Sequence, residues 1–149
     1  MPDEWVGRPM EILLIEDNQG DARLTMEALK EGDVKHRLTL ALNGEEAMQF
    51  LRREKWFARA PHPDLILLDL NLPGMDGREV LREAKEDLEL KNIPVVILTS
   101  SLHDEDILRS QGLNVEGYMT KPVNLEKFVG LVKQLQAYWQ ADVILPTSD

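Results

Sequence analysis

An alternation of short apolar runs with longer amphipathic segments constrains the fold of this chain more than any other feature. Uninterrupted apolar runs are typical of strands that are buried on both faces of a sheet. The amphipathic segments have the spacing of helices with one apolar face, and such helices connect parallel neighbouring strands. The pattern predicts an α/β domain with a parallel sheet covered on both faces. The predicted strands are residues 11–16, 37–42, 65–69, 94–98 and 116–119.

The predicted helices alternate with these strands and end with the most regular apolar stripe of the chain. They cover residues 22–30, 45–56, 77–87, 103–111 and 124–139. Asn124 is a favourable N-cap for the last of them. Its apolar residues recur at spacings of three and four: Leu125, Phe128, Val129, Val132, Leu135 and Trp139. A stripe with this spacing more often faces a core than an interface.

The composition is that of a single globular domain. The chain has 149 residues, of which 43% are hydrophobic and 30% are charged. This balance is typical of folded domains and is not that of disordered chains. We expect the domain to occupy residues 10–140, with an N-terminal extension over 1–9 and a C-terminal tail over 141–149.

Charge and residue usage disfavour several classes of partner and location. A net charge of −10 repels the phosphate backbone of nucleic acids and anionic lipid. No apolar run approaches the roughly 20 residues that a membrane helix requires. The acidic N-terminus lacks the apolar stretch of a secretion signal. The absence of cysteine excludes disulfides and fits a reducing cytoplasm, so we expect a cytoplasmic protein without nucleic-acid or membrane partners.

Polar residues follow the predicted strands at the points where the strands end. In doubly wound sheets, sites lie just beyond the carboxyl ends of the strands. A single aspartate there would most often be a turn former, but three carboxylates with a lysine indicate a site. The residues that this rule brings together are Glu16, Asp17, Asp69, Asn71, Thr99 and Lys121.

Carboxylates at one sheet edge require a cation, because they repel one another. Lys121 is one candidate, and a hard divalent ion bound through oxygen is the other. Since few protein ligands are available and water would fill the other positions, the pattern favours Mg²⁺ over a closed Ca²⁺ site. A carboxylate, a metal, a lysine and a hydroxyl together suit phosphoryl transfer to the carboxylate.

These residues resemble the landmarks of the response-regulator receiver domains of two-component signalling. The matching residues are the pair Glu16-Asp17, Asp69 in "LILLDLNLPGMDG", Thr99 in "PVVILTSS" and Lys121 in "GYMTKPV". The resemblance extends from about residue 10 to residue 139. It implies a flavodoxin-like, doubly wound fold with a five-stranded parallel sheet in the order 2-1-3-4-5.

The resemblance also implies a role for each acidic residue. Asp69 would accept the phosphoryl group, and Asp17 would bind Mg²⁺ or Mn²⁺ directly. Glu16 would act on the metal through water, and Asn71 would offer its backbone carbonyl. Lys121 would pair with the phosphoryl group.

Two further residues would form a switch. By resemblance, the hydroxyl of Thr99 would turn toward the phosphoryl group, and the ring of Tyr118 would follow it. The surface around the fourth helix, the fifth strand and the fifth helix would change in response. The Lys121-Pro122 peptide bond would be cis, which proline permits.

The partners expected from the resemblance are a sensor histidine kinase and an unknown downstream protein. About ten residues follow Trp139, so we expect a stand-alone receiver. The loop "ARAPHP" and the segment "AYWQADVILP" resemble the single-domain regulators that act with phytochrome-type kinases. We expect homodimerisation through the switch surface, and the run Val143-Ile144-Leu145 to pack on the last helix or on a twin chain.

Two other functions remain open from the sequence. A phosphatase of the haloacid-dehalogenase type also uses an aspartate nucleophile with Mg²⁺ and a lysine. That class has a second aspartate two residues later, where this chain has Asn71. A pseudo-receiver that binds partners without taking phosphate is the other alternative.

Overall fold

The sheet has the predicted order and direction. In the computed structural model the described residues are 7–32, 34–70, 72, 76–99, 106, 108–109 and 111–139. The strands are β1 (Met10–Ile15), β2 (His36–Ala41), β3 (Leu65–Asp69), β4 (Val95–Thr99) and β5 (Gly117–Thr120). All four pairings are parallel, and the order is β2-β1-β3-β4-β5. The flavodoxin-like topology expected from the sequence is therefore confirmed.

Two apolar layers cover the sheet, one on each face. Along β3, Ile66 and Leu68 belong to one core cluster, whereas Leu65 and Leu67 belong to the other. Because successive side chains of a strand point to opposite faces, a strand between two layers must be apolar at every position. This explains the uninterrupted run that precedes Asp69, and all five residues of β3 are buried.

Each α-helix of the described residues begins at an Asn or Asp cap. The helices are α1 (Gln19–Lys30), α2 (Gly44–Leu51), α3 (Gly77–Glu86) and α4 (Leu125–Gln134). The cap side chains accept a hydrogen bond from a backbone N–H in the first turn. Such a bond stabilises a helix by about 1 kcal/mol relative to alanine. The capping residues are Asn18, Asn43, Asp76 and Asn124.

Two predicted helices end earlier than the sequence pattern indicated. The second was predicted to reach residue 56, but α2 ends at Leu51 and a short 3-10 turn (Lys55–Phe57) follows. Arg53 and Lys55 have positive φ angles of 57° and 54°, which a continuing helix cannot accommodate. The last was predicted to reach residue 139, but α4 ends at Gln134, before a 3-10 turn (Gln136–Tyr138).

One predicted helix falls mostly outside the described residues. Of residues 103–111, only Asp106, Leu108 and Arg109 are described as helical. The tail that contains Val143-Ile144-Leu145 lies outside the described residues altogether. Among the described residues, no helix has both the length and the apolar character needed to cross a membrane.

Polar contacts join the start of β3 to both ends of the described chain. The guanidinium of Arg8 donates to both carboxylate oxygens of Asp64, at 2.7 and 2.8 Å. The backbone N–H of Glu11 donates to the same carboxylate at 2.8 Å. The indole Nε1 of Trp139 donates to the backbone carbonyl of Asp64 at 2.6 Å. Asp64 therefore connects the N-terminal segment, the sheet and the residue that follows the last 3-10 turn.

Candidate functional site

The carboxyl edge of the sheet brings the predicted acidic and hydroxyl residues together. Asp69 is the last residue of β3 and only 4% exposed, and Thr99 is the last residue of β4 and 2% exposed. Glu16, which directly follows β1, is fully buried. Asp17 is exposed beside it. Neighbouring strands thus place these groups at one site, as the strand-end rule predicts.

Gly77, the first residue of α3, approaches the backbone at the end of β3 closely. A Cβ atom at Gly77 would lie 2.7 Å from the carbonyl oxygen of Asp69 and 2.7 Å from Cα of Leu70. The N–H of Gly77 donates to the carbonyl of Leu70 at 3.2 Å. Only a residue without a side chain permits this approach, which holds the backbone of Asp69 against the helix.

Lys121 provides the cation of the site. Its Nζ lies 3.0 Å from Oδ2 of Asp69 and 2.7 Å from Oε1 of Glu16. The preceding strand, β5, positions it, and its N–H donates to the carbonyl of Thr99 at 2.9 Å. The peptide bond to Pro122 is cis, as the resemblance implied.

Asp21 also contacts the lysine, although the sequence did not indicate it as a site residue. Its Oδ2 lies 3.2 Å from Nζ of Lys121. Asp21 belongs to the first turn of α1 and was interpreted from the sequence as part of a turn and cap. Its spacing of four residues from Asp17, across the start of a helix, was the only available signal.

Three carboxylates form a cluster with the dimensions of a metal site. One oxygen from each of Glu16, Asp17 and Asp69 lies within 4.8 Å of the other two. The buried Oε1 of Glu16 receives no well-directed hydrogen bond, although it is ion-paired with Lys121. A buried carboxylate oxygen without a hydrogen bond is costly unless a cation satisfies it. The donor set is all oxygen, which Mg²⁺ and other hard cations prefer, so the residues fit a divalent ion.

The electrostatics of Glu16 and Lys121 reflect this crowding. Burial raises the pKa of Glu16 to about 7, with a contribution from the hydrogen bond that its protonated carboxyl donates to Asp69. Burial by itself would lower the pKa of Lys121, but its contacts with the carboxylates of Glu16 and Asp69 outweigh burial and raise that pKa. Lys121 is therefore charged, whereas Glu16 exchanges its proton near neutral pH in the metal-free protein.

The two predicted switch residues border one groove. Thr99 and Tyr118 line a cavity of about 460 Å³ between β5 and α4, together with Lys127 and Leu131. Tyr118 is partly buried and packs against the core. Asn71, the remaining predicted metal ligand, lies outside the described residues.

The chain matches known proteins along most of its length. The model of the response regulator receiver domain family matches residues 12–133. Response regulator Rcp1 of Synechocystis sp. is 44% identical over 140 residues, which cover 94% of this chain and 95% of that protein.

Two solved structures are similar in sequence and in fold. The crystal structure of the Mn²⁺-bound form of Rcp1 has a TM-score of 0.71 and 44% identity, with 93% of this chain and 100% of that chain covered. The crystal structure of the phosphorylated cyanobacterial phytochrome response regulator RcpA has a TM-score of 0.72 and 47% identity, with 93% and 99% covered. The matched family model, the identity to Rcp1 and the sheet order together show that this chain belongs to the response regulator receiver domain family.

Proposed function

We propose that this receiver is a single-domain response regulator that accepts a phosphoryl group from a sensor histidine kinase on Asp69. The contact between Asp69 and Lys121 within the acidic cluster carries the proposal. The family consists of phospho-accepting signalling proteins, not classical enzymes. The chain covers 95% of Rcp1, so that regulator is of similar length, which supports a stand-alone receiver.

Asp69 would act as the nucleophile of the transfer. One of its carboxylate oxygens forms a bond to phosphorus while the bond from phosphorus to the kinase histidine nitrogen breaks, and the electron pair stays on that nitrogen. The ammonium of Lys121, 3.0 Å from Oδ2 of Asp69, would stabilise negative charge on the phosphoryl oxygens. The buried hydroxyl of Thr99 is the group that would donate to one of these oxygens.

A divalent cation would be held by Glu16, Asp17 and Asp69, with the backbone carbonyl of Asn71 as a further ligand. When bound, it supplies positive charge that neutralises the phosphoryl group and the carboxylates. A Mn²⁺-bound form is known of Rcp1, the 44% identical relative, which supports a divalent ion in this position. We assign Mg²⁺ as the ordinary occupant, since the ligands are few and all oxygen.

The output of the protein would be a change of surface. The phosphoryl group would carry about two negative charges in place of the single charge of the Asp69 carboxylate, and it would draw the hydroxyl of Thr99 toward Asp69. Movement of Tyr118 into the vacated space would then reshape the groove along β5 and α4. We propose that this surface, with the helix predicted over 103–111, binds the downstream protein and a second copy of the chain.

The proposed partner is a phytochrome-type kinase in the cytoplasm. RcpA, 47% identical, is a phytochrome response regulator that has been crystallised in the phosphorylated form. The receiver would occupy residues 10–140, with 1–9 and 141–149 as extension and tail. Phosphotransfer from purified phytochrome-type kinases, compared with other histidine kinases, tests the assignment of the partner.

Incubation with acetyl phosphate and Mg²⁺ tests the function itself. The receiver predicts one acid-labile phosphate per chain that is lost in Asp69→Asn and in the absence of a divalent ion. Rapid multiple turnover with release of inorganic phosphate would instead assign the phosphatase, and no labelling would assign the pseudo-receiver. Asp76→Asn is a suitable control, because Asp76 caps α3 outside the acidic cluster.

A further inference from the structure

The loop after α2 concentrates positive charge in an acidic protein. Residues 52–59, here termed the basic loop, contain four cations, Arg52, Arg53, Lys55 and Arg59, and one carboxylate, Glu54. The whole chain has only 17 lysines and arginines and a net charge of −10. All five charged residues of the basic loop are exposed. The loop therefore forms a local positive surface on a negative molecule.

Most of this positive charge has no partner among the residues that the structure describes. Arg52 forms an ion pair with Glu83 of α3, with 2.8 Å between Nη2 and Oε1. For Arg53, Lys55 and Arg59, no side-chain hydrogen bond or ion pair joins them to any other described residue. These three side chains are available to an external anion.

Trp56 presents a large apolar surface in the middle of these cations. It is 82% exposed, the most exposed of the large hydrophobic side chains described. Its neighbour Phe57 turns inward and packs edge-to-face on Phe50, with ring centroids 5.4 Å apart. The core contact of the loop is thus made by Phe57, and no packing role in the described protein accounts for Trp56.

The backbone of the basic loop is held in one shape. Arg53 and Lys55 are in the left-handed region, which side chains of this size adopt at a cost in conformational free energy. Hydrogen bonds from N–H of Glu54 to the carbonyl of Gln49 and from N–H of Phe57 to the carbonyl of Glu54, both 2.9 Å, maintain that geometry. A loop ordered in advance loses less conformational entropy when it binds a partner.

The basic loop lies at the opposite end of the sheet from the acidic cluster. It leads into the start of β3, whereas Asp69 is at the end of that strand. Because a five-residue strand spans about 16 Å, a partner could bind here and leave the cluster open.

We propose that the basic loop is a docking site for an acidic segment of a partner protein, in which carboxylates surround an apolar residue. Trp56 supplies the central apolar contact, and Arg53, Lys55 and Arg59 pair with the carboxylates around it. Aromatic and arginine residues of this kind dominate the binding energy of many interfaces. The charge of the loop selects an acidic partner, and its exposed tryptophan distinguishes the site from a purely electrostatic one.

Binding of synthetic peptides to the full chain tests the proposal. The probe is a short peptide of glutamates around a leucine pair, and its controls replace the leucines by serine or the glutamates by lysine. We expect binding only of the first peptide, weakened by added salt. Trp56→Ala should reduce the affinity about tenfold or more, since central aromatic contacts are worth at least that much. Tyr138→Ala removes another exposed aromatic ring and should leave binding unchanged.

Variants that remove single positive charges distinguish docking at the basic loop from a general attraction between the peptide and any cation of the protein. Arg53→Asn and Lys55→Asn each remove one positive charge. Asparagine is chosen because it tolerates the positive φ angle of both positions. Each should weaken binding severalfold, whereas Lys30→Asn, at an exposed cation of α1 on the other face of the sheet, should not. The unfolding temperature should not fall in any variant, since the altered side chains are exposed. The two asparagine variants should match or slightly exceed the parent protein, because asparagine adopts positive φ at a lower cost.

Three results would overturn the proposal. One is no binding of the acidic peptide, and another is binding that Trp56→Ala leaves unchanged. The third is equal, Trp56-independent binding to phosphatidylserine vesicles, which would indicate a membrane surface in place of a protein segment. None of these results bears on phosphorylation of Asp69, so the proposed function is tested independently of this docking site.

Discussion

Nζ of Lys121 lies 3.0 Å from Oδ2 of Asp69, although 52 residues separate them in the chain. The contact exists because β3 and β5 end at the same edge of the sheet on either side of β4. Lys121 is also within 4.0 Å of Glu16 and Asp21, so one cation offsets three carboxylates. Removal of the charge of any of these four side chains therefore changes the net charge of the site.

Replacement of Lys121 by methionine should destabilise the metal-free protein and strengthen metal binding. The side chain is 16% exposed and its loss leaves buried carboxylates uncompensated, at a cost of about 3 kcal/mol in unfolding free energy. The ammonium of Lys121 would then no longer compete with a divalent ion for the carboxylates, so Mg²⁺ should bind more tightly and restore stability. Urea unfolding with and without Mg²⁺ measures both effects. Lys127→Met, at an exposed position, should change neither; equal responses of both variants would contradict the prediction.

Asp21→Asn should slow phosphorylation moderately. Its carboxylate is 39% exposed and holds Lys121 from the side of α1, so the contact is worth less than a buried pair. We expect the rate with acetyl phosphate to fall about two- to fivefold, and Glu16→Gln to have a larger effect. The control is Glu27→Gln, because Glu27 is on the same helix but pairs with Arg23 and does not contact Lys121. A rate identical to that of the parent protein would remove Asp21 from the site.

Deprotonation of Glu16 should lower the unfolding free energy of the metal-free protein as the pH rises. Its pKa of about 7 in the folded protein exceeds the ordinary value of 4.5, so the folded state binds the proton more tightly. Its contribution to the unfolding free energy is fully present below pH 4.5 and is lost as the pH rises through about 7. Glu16→Gln should flatten this dependence, as chemical unfolding in a chelator would measure. Mg²⁺ affinity should rise over the same interval, because the ion requires the carboxylate.

Gly77→Ala should displace the backbone of Asp69. The new Cβ would meet two backbone atoms at 2.7 Å, neither of which can move independently of the strand. We expect a loss of about 2 kcal/mol in unfolding free energy together with slower phosphorylation. At Gly130, within α4, an added Cβ would lie in open space. Gly130→Ala should therefore raise the unfolding free energy by about 0.5–1 kcal/mol. Opposite signs in thermal unfolding are the expected outcome; a stabilised Gly77→Ala would show that the approach is not tight.

Trp139→Phe should cost about 1–2 kcal/mol of unfolding free energy. The change keeps an aromatic side chain but replaces the indole by a smaller phenyl ring and removes the donor to the carbonyl of Asp64, the residue before β3. Trp56→Phe serves as the matched control, because that ring is exposed and its change should stay within about 0.5 kcal/mol. Denaturant unfolding of both variants provides the comparison.

The sequence determined the layout of the sheet and the composition of its carboxyl edge. Apolar runs such as Leu65-Ile66-Leu67-Leu68 favour burial on both faces, which a parallel sheet covered by helices provides. Once the strands are parallel, the residues that follow them must meet, so the grouping of Glu16, Asp69 and Lys121 could be predicted.

Tertiary structure alone decided the contacts that depend on how helices and turns pack. Asp21 meets Lys121 across 100 residues because the start of α1 and the end of β5 lie at the same edge of the sheet, within reach of the lysine side chain, which no local pattern encodes. The end of α2 at Leu51 follows from left-handed conformations at Arg53 and Lys55, although neither is a glycine that would indicate them. Periodicity specifies which face of an element is buried, but the direction of each polar side chain depends on neighbours brought together only by folding.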